Sequence, residues 1–435
     1  MTNINKRTNS KSFFERVDLS HIHGPRGKSF FSYVKKFQRD ILDSFLSVQR
    51  DYGDYASFPW PMNSVIIYRP ELIEELFIKR HSDFIKGDQL LEVSAVIGGG
   101  LAVNNDLEDW SKKRSLIAKE FTRPSVKEFT TRIESVVEEY INKLSDESEV
   151  DIFNFFKDMS FDISCELFLG VRLENEQVSH FKEALEFCSE VTFNRIFDFI
   201  PLPYWVPTYK HKKFSKHYNF LETLIFDLIE TKDSEGVLAK LVAAGERGEL
   251  TKHEIKDELL TLLIAGHETT AFSLGWIFTL LATHGNWKDS DHLNIIHEGL
   301  RLYSALPIFS RKASSDTILG DLKIPKNTNV VVPAYVVHRM EEFWKNPNEF
   351  NPERFKDVKP HTLKAYFPFG KGPRKCIGEQ LGLSIMQIVL DKFLNNYELE
   401  CLSKEIPKAK IAVALAPSSP VWIKFRRNKK ASNGL

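Results

Sequence analysis

Cys376 has the most informative neighbours in the chain, in the run Phe369-Gly370-Lys371-Gly372-Pro373-Arg374-Lys375-Cys376-Ile377-Gly378. The other cysteines, Cys165, Cys188 and Cys401, show no pairing spacing and read as buried or incidental thiols. An amphipathic helix is expected to begin near Ile377. A thiol at a helix start meets the positive end of the dipole and unpaired N–H groups, which favour the thiolate. The glycines before it let backbone N–H groups approach the sulfur closely. Such a thiolate is a good ligand for iron, and it donates electron density that favours O–O cleavage. Gly378 would keep side chains away from a flat macrocycle.

A second group lies in Ala265-Gly266-His267-Glu268-Thr269-Thr270. An acid beside a hydroxyl in an apolar helix suits proton delivery, since burial raises a carboxyl pKa. Threonine can also bond the carbonyl four residues back and bend the helix. The run is not the HExxH zinc motif, because its fifth residue is Ala271. Glu298 and Arg301 stand at i, i+3 and can pair on one helix face. Trp110 and Arg114 are one helical turn apart and can address one anionic group.

Elements must hold these groups in place. Thr251 and Glu254 form a capping box that starts a helix, and Gly285 is its stop signal. The stretch between them is apolar on nearly all sides and long enough to suggest a membrane span. His267 and Glu268 at its centre argue for a buried central helix instead, since a charge there costs roughly 2.5–3.5 kcal/mol in lipid. Upstream, a Gly/Pro turn at residues 23–27 precedes a helix over 33–52. A short hairpin is expected over 54–68, then a helix over 70–80 with Pro70 in its first turn. Residues 87–105, with Gly98-Gly99-Gly100, read as a loop, and helices dominate 106–283. The last third is mixed: a helix near 291–304, strand-like pieces over 316–336, a Pro-rich meander over 343–368, a helix over 377–396 and a hairpin after 410.

Composition narrows the class. The chain has 435 residues, with 59 Lys and Arg against 59 Asp and Glu, a balance that argues against nucleic-acid binding. Its 34 phenylalanines suggest a large apolar interior. No linker or repeat divides it, so a tail over 1–28, a single domain over 29–427 and a tail over 428–435 are expected. The polar N-terminus has no signal or anchor pattern, which points to a cytoplasmic protein of bacterial type.

These motifs together resemble those of the cytochromes P-450. The run from Phe369 to Gly378 is similar to the family's haem signature, and AGHETT to its oxygen-activation motif. Glu298 and Arg301, with Arg354 in Asn351-Pro352-Glu353-Arg354-Phe355, resemble its ExxR helix and meander. Trp110 and Arg114 resemble its WxxxR motif. The resemblance implies a mainly α fold with small peripheral β-sheets, a triangular helical prism enclosing haem b. It makes Cys376 the axial thiolate. Arg374, Trp110, Arg114 and Arg311, four residues after Pro307, become propionate contacts. Phe369 and Ala265 join the cofactor-binding set. Glu268 and Thr269 become the acid–alcohol pair, His267 a spacer facing away, and Glu298, Arg301 and Arg354 a buried supporting network.

The implied activity is O2-dependent, two-electron insertion of one oxygen atom into a lipophilic small molecule by a monomer. A peroxide-driven hydroxylase or isomerase usually lacks the acid–alcohol pair, and a haem protein that only senses or sequesters a ligand does not need it. Electrons would come from a separate ferredoxin or flavodoxin with its reductase, docking on Lys112, Lys113, Lys371 and Lys375. Parts of 85–103, 187–209, Leu262 to Phe272, Leu306 to Phe309 and 415–421 would line the substrate pocket. Phe187, Phe193, Phe197, Phe199, Tyr204, Trp205 and Phe309 make that region apolar. The chain departs from the family between Glu268 and Glu298, where GNWKDSDHLN replaces a longer stretch.

Overall fold

A computed structural model describes residues 16–87, 90–170, 175–196, 202–231, 235–285 and 287–428. The main helices are α1 (Gly27–Arg39), α2 (Ile41–Tyr52), α3 (Leu107–Ile117), α4 (Thr130–Lys143), α5 (Ile152–Ser164) and α6 (Asn175–Ile196). They continue with α7 (Tyr209–Glu230), α8 (Gly236–Glu246), α9 (Lys252–Thr283), α10 (His292–Leu302) and α11 (Glu379–Asn396). Short polar side chains fix most of their starts. Asp40, Asp106, Asp151, Thr208, Thr251 and Asp291 each accept a backbone N–H of the first turn. The Thr251–Glu254 capping box is formed in full.

Asp40 also corrects an expectation. The helix read over 33–52 is two helices, because the Asp40 backbone is extended (φ −153°) and its carboxylate caps α2. The loop read over 87–105 likewise contains a 3-10 turn, Leu90–Val93, and a short helix, Ser94–Ile97. Helix α1 begins at Gly27, after the Gly/Pro turn, and residues 1–15 lie outside the described residues.

Strands β1 (Tyr55–Phe58), β2 (Ser64–Ile67), β3 (Phe84–Ile85), β5 (Phe309–Ala313) and β8 (Asn329–Val332) form one sheet in the order β1-β2-β8-β5-β3. Only β2 and β8 pair in parallel, with Ser64 opposite Asn329. Strands β4 (Ser148–Asp151), β12 (Trp422–Arg427) and β9 (Tyr397–Cys401) form a second sheet. Two hairpins complete the strands: β6 (Thr317–Leu319) with β7 (Leu322–Ile324), and β10 (Ala409–Ile411) with β11 (Leu415–Pro417). Strand β5 was missed in the sequence because Arg311 and Lys312 interrupt it, yet both are buried there.

Helix α9 is the axis of the core. Small residues let its neighbours come close: a Cβ on Gly275 would lie 2.5 Å from the Phe153 ring of α5, and one on Gly299 of α10 would lie 2.5 Å from Ile277. Aromatic rings fill the remaining space, with Trp276 stacked on Tyr303 at 4.0 Å. Among the described residues no helix is long and apolar enough to cross a membrane.

Candidate active site

The cysteine loop is built by two left-handed glycines. Gly370 (φ +74°) and Gly372 (φ +71°) turn the chain, and a Cβ on Gly372 would sit 1.9 Å from the Phe77 carbonyl oxygen. The Cys376 N–H then donates to the Phe369 carbonyl at 2.9 Å, and Arg114 Nη2 donates to the Lys375 carbonyl at 2.8 Å. Cys376 keeps open surface just ahead of α11. Even so, the surrounding protein excludes enough water to push its thiol up, against the opposing pull of the Gly378 N–H, Arg114 and Lys375. A cation bound at the sulfur would oppose that shift.

Cations gather beside this loop without counter-charges. Arg374 lies 4.4 Å over the Trp110 ring and donates to the Asn104 carbonyl at 2.9 Å, while its Nε and Nη2 are buried with no hydrogen-bond partner. Arg114 flanks the same ring at 5.6 Å. Arg311 is buried 4.9 Å over Phe77 and is pushed down to about 10 by burial and by Arg374. Lys86 joins them, pushed well below the usual lysine range by burial and by Arg311, Arg374 and Arg114. Among the described residues none of the four pairs with a carboxylate. The arrangement calls for an anionic ligand. Lys86 was not predicted; a lone lysine after a two-residue strand carries no spacing signal.

On α9 the buried surface is interrupted at one place. Ala265 is exposed and Thr269 half-buried, in a helix whose neighbouring positions are almost all covered. Thr269 Oγ1 donates to the Ala265 carbonyl at 2.5 Å, the bond back along the helix that its position allows. Glu268 is 8% exposed and is pushed up to about 7, chiefly by burial; Lys157 opposes the shift, and Glu186 and Glu190 add to it. His267 is buried against α5. Its ring meets the Phe161 ring on α5 at 5.4 Å, and burial pushes it down to about 3.

Residues 22–290 and 293–425 match the family described as Cytochrome P450. The chain belongs to that family. Cytochrome P450 3A17 of Cavia porcellus is 24% identical over 96% of this chain and 93% of its own length. A cytokinin hydroxylase of Arabidopsis thaliana is 27% identical over 86% of this chain and 81% of its own. The solved structure of CYP175A1 from Thermus thermophilus superposes with a TM-score of 0.78 at 24% identity, covering 92% of this chain and 98% of that one. A six-coordinated cytochrome P450 from another strain of the same species gives 0.73 at 24% identity, covering 88% and 98%. The chain is thus a P450 monooxygenase, an oxidoreductase of a family that binds haem b.

The residues present fit that cofactor. An open cysteine, a glycine-rich loop, an exposed Ala265 and orphaned cationic groups suit a group that needs a sulfur ligand, a flat face and partners for two carboxylates. Elsewhere in this P450, Glu298 and Arg301 are both fully buried and doubly bonded, at 2.7 and 2.8 Å. Arg354 Nε reaches Glu298 at 3.1 Å, and Arg301 also donates to the carbonyls of His338, Pro347 and Glu349. The Asn351 N–H completes the shell of Glu298 at 2.9 Å.

Two further readings change. Lys113 is buried and paired with Asp109 at 2.8 Å and Glu254 at 2.9 Å, so it is withdrawn from any docking face. Lys371 is half-buried on the Lys364 carbonyl at 2.9 Å, while Lys112 and Lys375 stay exposed. Between α9 and α10, Trp287 Nε1 donates to the Leu281 carbonyl at 2.8 Å. The family match is interrupted at residues 291–292. Of the apolar residues expected around substrate, Phe193 lines a cleft with Glu268, Phe309 packs on Phe77, and Trp205 is 68% exposed. Phe197 and Phe199 lie outside the described residues, as do Asn286 of the connection and residues 429–435 of the C-terminal tail.

Proposed function

We propose that this P450 uses O2 and two electrons to insert one oxygen atom into a lipophilic small molecule, by hydroxylation or epoxidation. Haem b, held by Cys376 as a thiolate, supplies the redox chemistry when bound. Arg374, Arg114, Arg311 and Lys86 hold its propionates, with Trp110 packed beneath two of the guanidinium groups. Ala265 and Phe369 leave room for and pack against the macrocycle. Glu268 holds a proton near neutral pH, and Thr269 orients the site's proton traffic from its bonded position on Ala265. Glu298, Arg301 and Arg354 fix the segment behind the cysteine loop and take no part in the chemistry.

The observation that carries this reading is the exposed Cys376 beside a group of cations that no carboxylate among the described residues neutralises. A buried titratable acid next in sequence to the alcohol on the interrupted face of α9 favours O2 over peroxide as oxidant. Electrons come from a separate ferredoxin or flavodoxin in the cytoplasm, and exposed Lys112 and Lys375 suit an acidic partner. The test is the spectrum of the reduced protein with carbon monoxide. A long-wavelength Soret band, lost in Cys376→Ala, supports the thiolate; labelled oxygen from O2 must then appear in the product of a lipophilic substrate. A purified, folded protein that takes up no haem overturns the reading.

A further inference from the structure

A cleft of about 370 Å3 opens to solvent between α5, α6 and the β10–β11 hairpin and reaches α9 at Glu268 and Phe272. Apart from Glu268, none of the residues proposed to hold haem or move protons lines it. Its floor is apolar. The Phe153 ring of α5 and the Phe272 ring of α9 lie 5.9 Å apart, and Phe193 of α6 and Pro417 of β11 extend that surface. Its wall is acidic. Asp151, Glu186, Glu190 and Glu268 line it against two lysines, Lys157 and Lys410, in a chain whose charges balance overall. Lys157 is engaged by Glu186 at 3.0 Å. Glu190, one turn further along α6, is exposed; it accepts from the Asn194 amide at 3.4 Å and has no cation within 4.0 Å among the described residues. Glu268 is 8% exposed, and its closest cation among the described residues is Lys157 at 4.0 Å.

An occupant must satisfy both surfaces. A neutral lipophile would cover the rings but strand the carboxylates away from water, and an anion would be repelled by them. An ammonium on an apolar body meets both demands. The carboxylates take its charge, and the rings take its body and, through their faces, part of the charge. We infer that the cleft is a binding site for lipophilic amines, with the ammonium held by Glu190 and Glu268 and the apolar part on Phe153, Phe193 and Phe272. The site is distinct from the one proposed for oxygen insertion, and binding there changes no covalent bond.

The probe is decyltrimethylammonium below its micelle concentration, titrated calorimetrically into the ferric holoenzyme. A quaternary nitrogen has no lone pair with which to ligate iron. One equivalent should bind, more tightly than decyl sulfate or decyl maltoside. Glu190→Gln should weaken the ammonium by about three- to tenfold, and Phe193→Ala by about tenfold. Glu190→Lys should lose the preference for the ammonium and gain affinity for the sulfate, which a merely disturbed fold would not do. Three results overturn the assignment: no binding of the ammonium, equal affinities for ammonium and sulfate in the native protein, or affinities that Glu190→Gln and Phe193→Ala leave unchanged. The last would put the probe elsewhere, beside the haem or on an unspecific surface.

Discussion

Glu298 and Glu268 are both buried carboxylates on helices that pack together, and their surroundings are opposite. Glu298 receives two guanidinium groups and a backbone N–H, all within 3.1 Å. Glu268 has one cation at 4.0 Å, and that cation is shared with Glu186. Full pairing fixes a charge and the backbone around it. Partial pairing leaves a group whose proton can come and go near neutral pH. The same contrast separates the arginines: Arg301 has every arm bonded, while Arg374 keeps two buried nitrogens without partners. The saturated pair belongs to the proposed support, and Glu268 and Arg374 to the proposed working site.

That contrast can be broken from the support side first. Glu298→Ala strands Arg301 inside the core, and about 3–5 kcal/mol of folding stability is expected to be lost in urea titrations. Loss of less than about 1 kcal/mol would mean that the network is not a support. Glu268→Gln should do the reverse. Folding stability stays within about 1 kcal/mol, while product formed with O2 falls by about a hundred- to ten-thousand-fold. Equal damage to stability and rate would erase the distinction.

Arg374→Gln sharpens it further. The unliganded chain should be no less stable, because like charges are relieved, but haem retention should weaken by about ten- to a hundred-fold in a transfer assay to a haem acceptor. The smallest effect concerns pH. Glu268 and Glu258 are both raised from 4.5 to about 7, chiefly by burial. The native state therefore holds protons that the unfolded chain has released, and stability falls as pH rises through that window. Each Gln variant should flatten the fall in thermal melts collected across it; an unchanged slope in both would refute the assignment.

Much of this was readable from the sequence where the signal is local. The capping box at Thr251 and Glu254 and the pairing of Glu298 with Arg301 depend on residues a few positions apart, and the structure shows both. Where partners are distant, the sequence is silent. Lys113 reads as a surface lysine, yet Glu254 from another helix buries it. Lys86 meets its fellow cations only through the fold. Lys157 and Glu186 sit on two helices whose patterns say only that they are helices. Strand β5 was hidden because two buried cations break its apolar pattern. Roles that rest on local motifs could be named early; the field around them could not.

The few residues between α9 and α10 have a kinetic side. Closing a short loop costs less chain entropy than closing a long one, and local contacts form quickly. With Trp287 plugging the end of α9 and Asp291 starting α10, the hairpin of these two helices can form from neighbouring chain alone. Folding can therefore nucleate at this pair, joining the helix that carries Glu268 to the one that carries Glu298 before the cysteine loop has found its place.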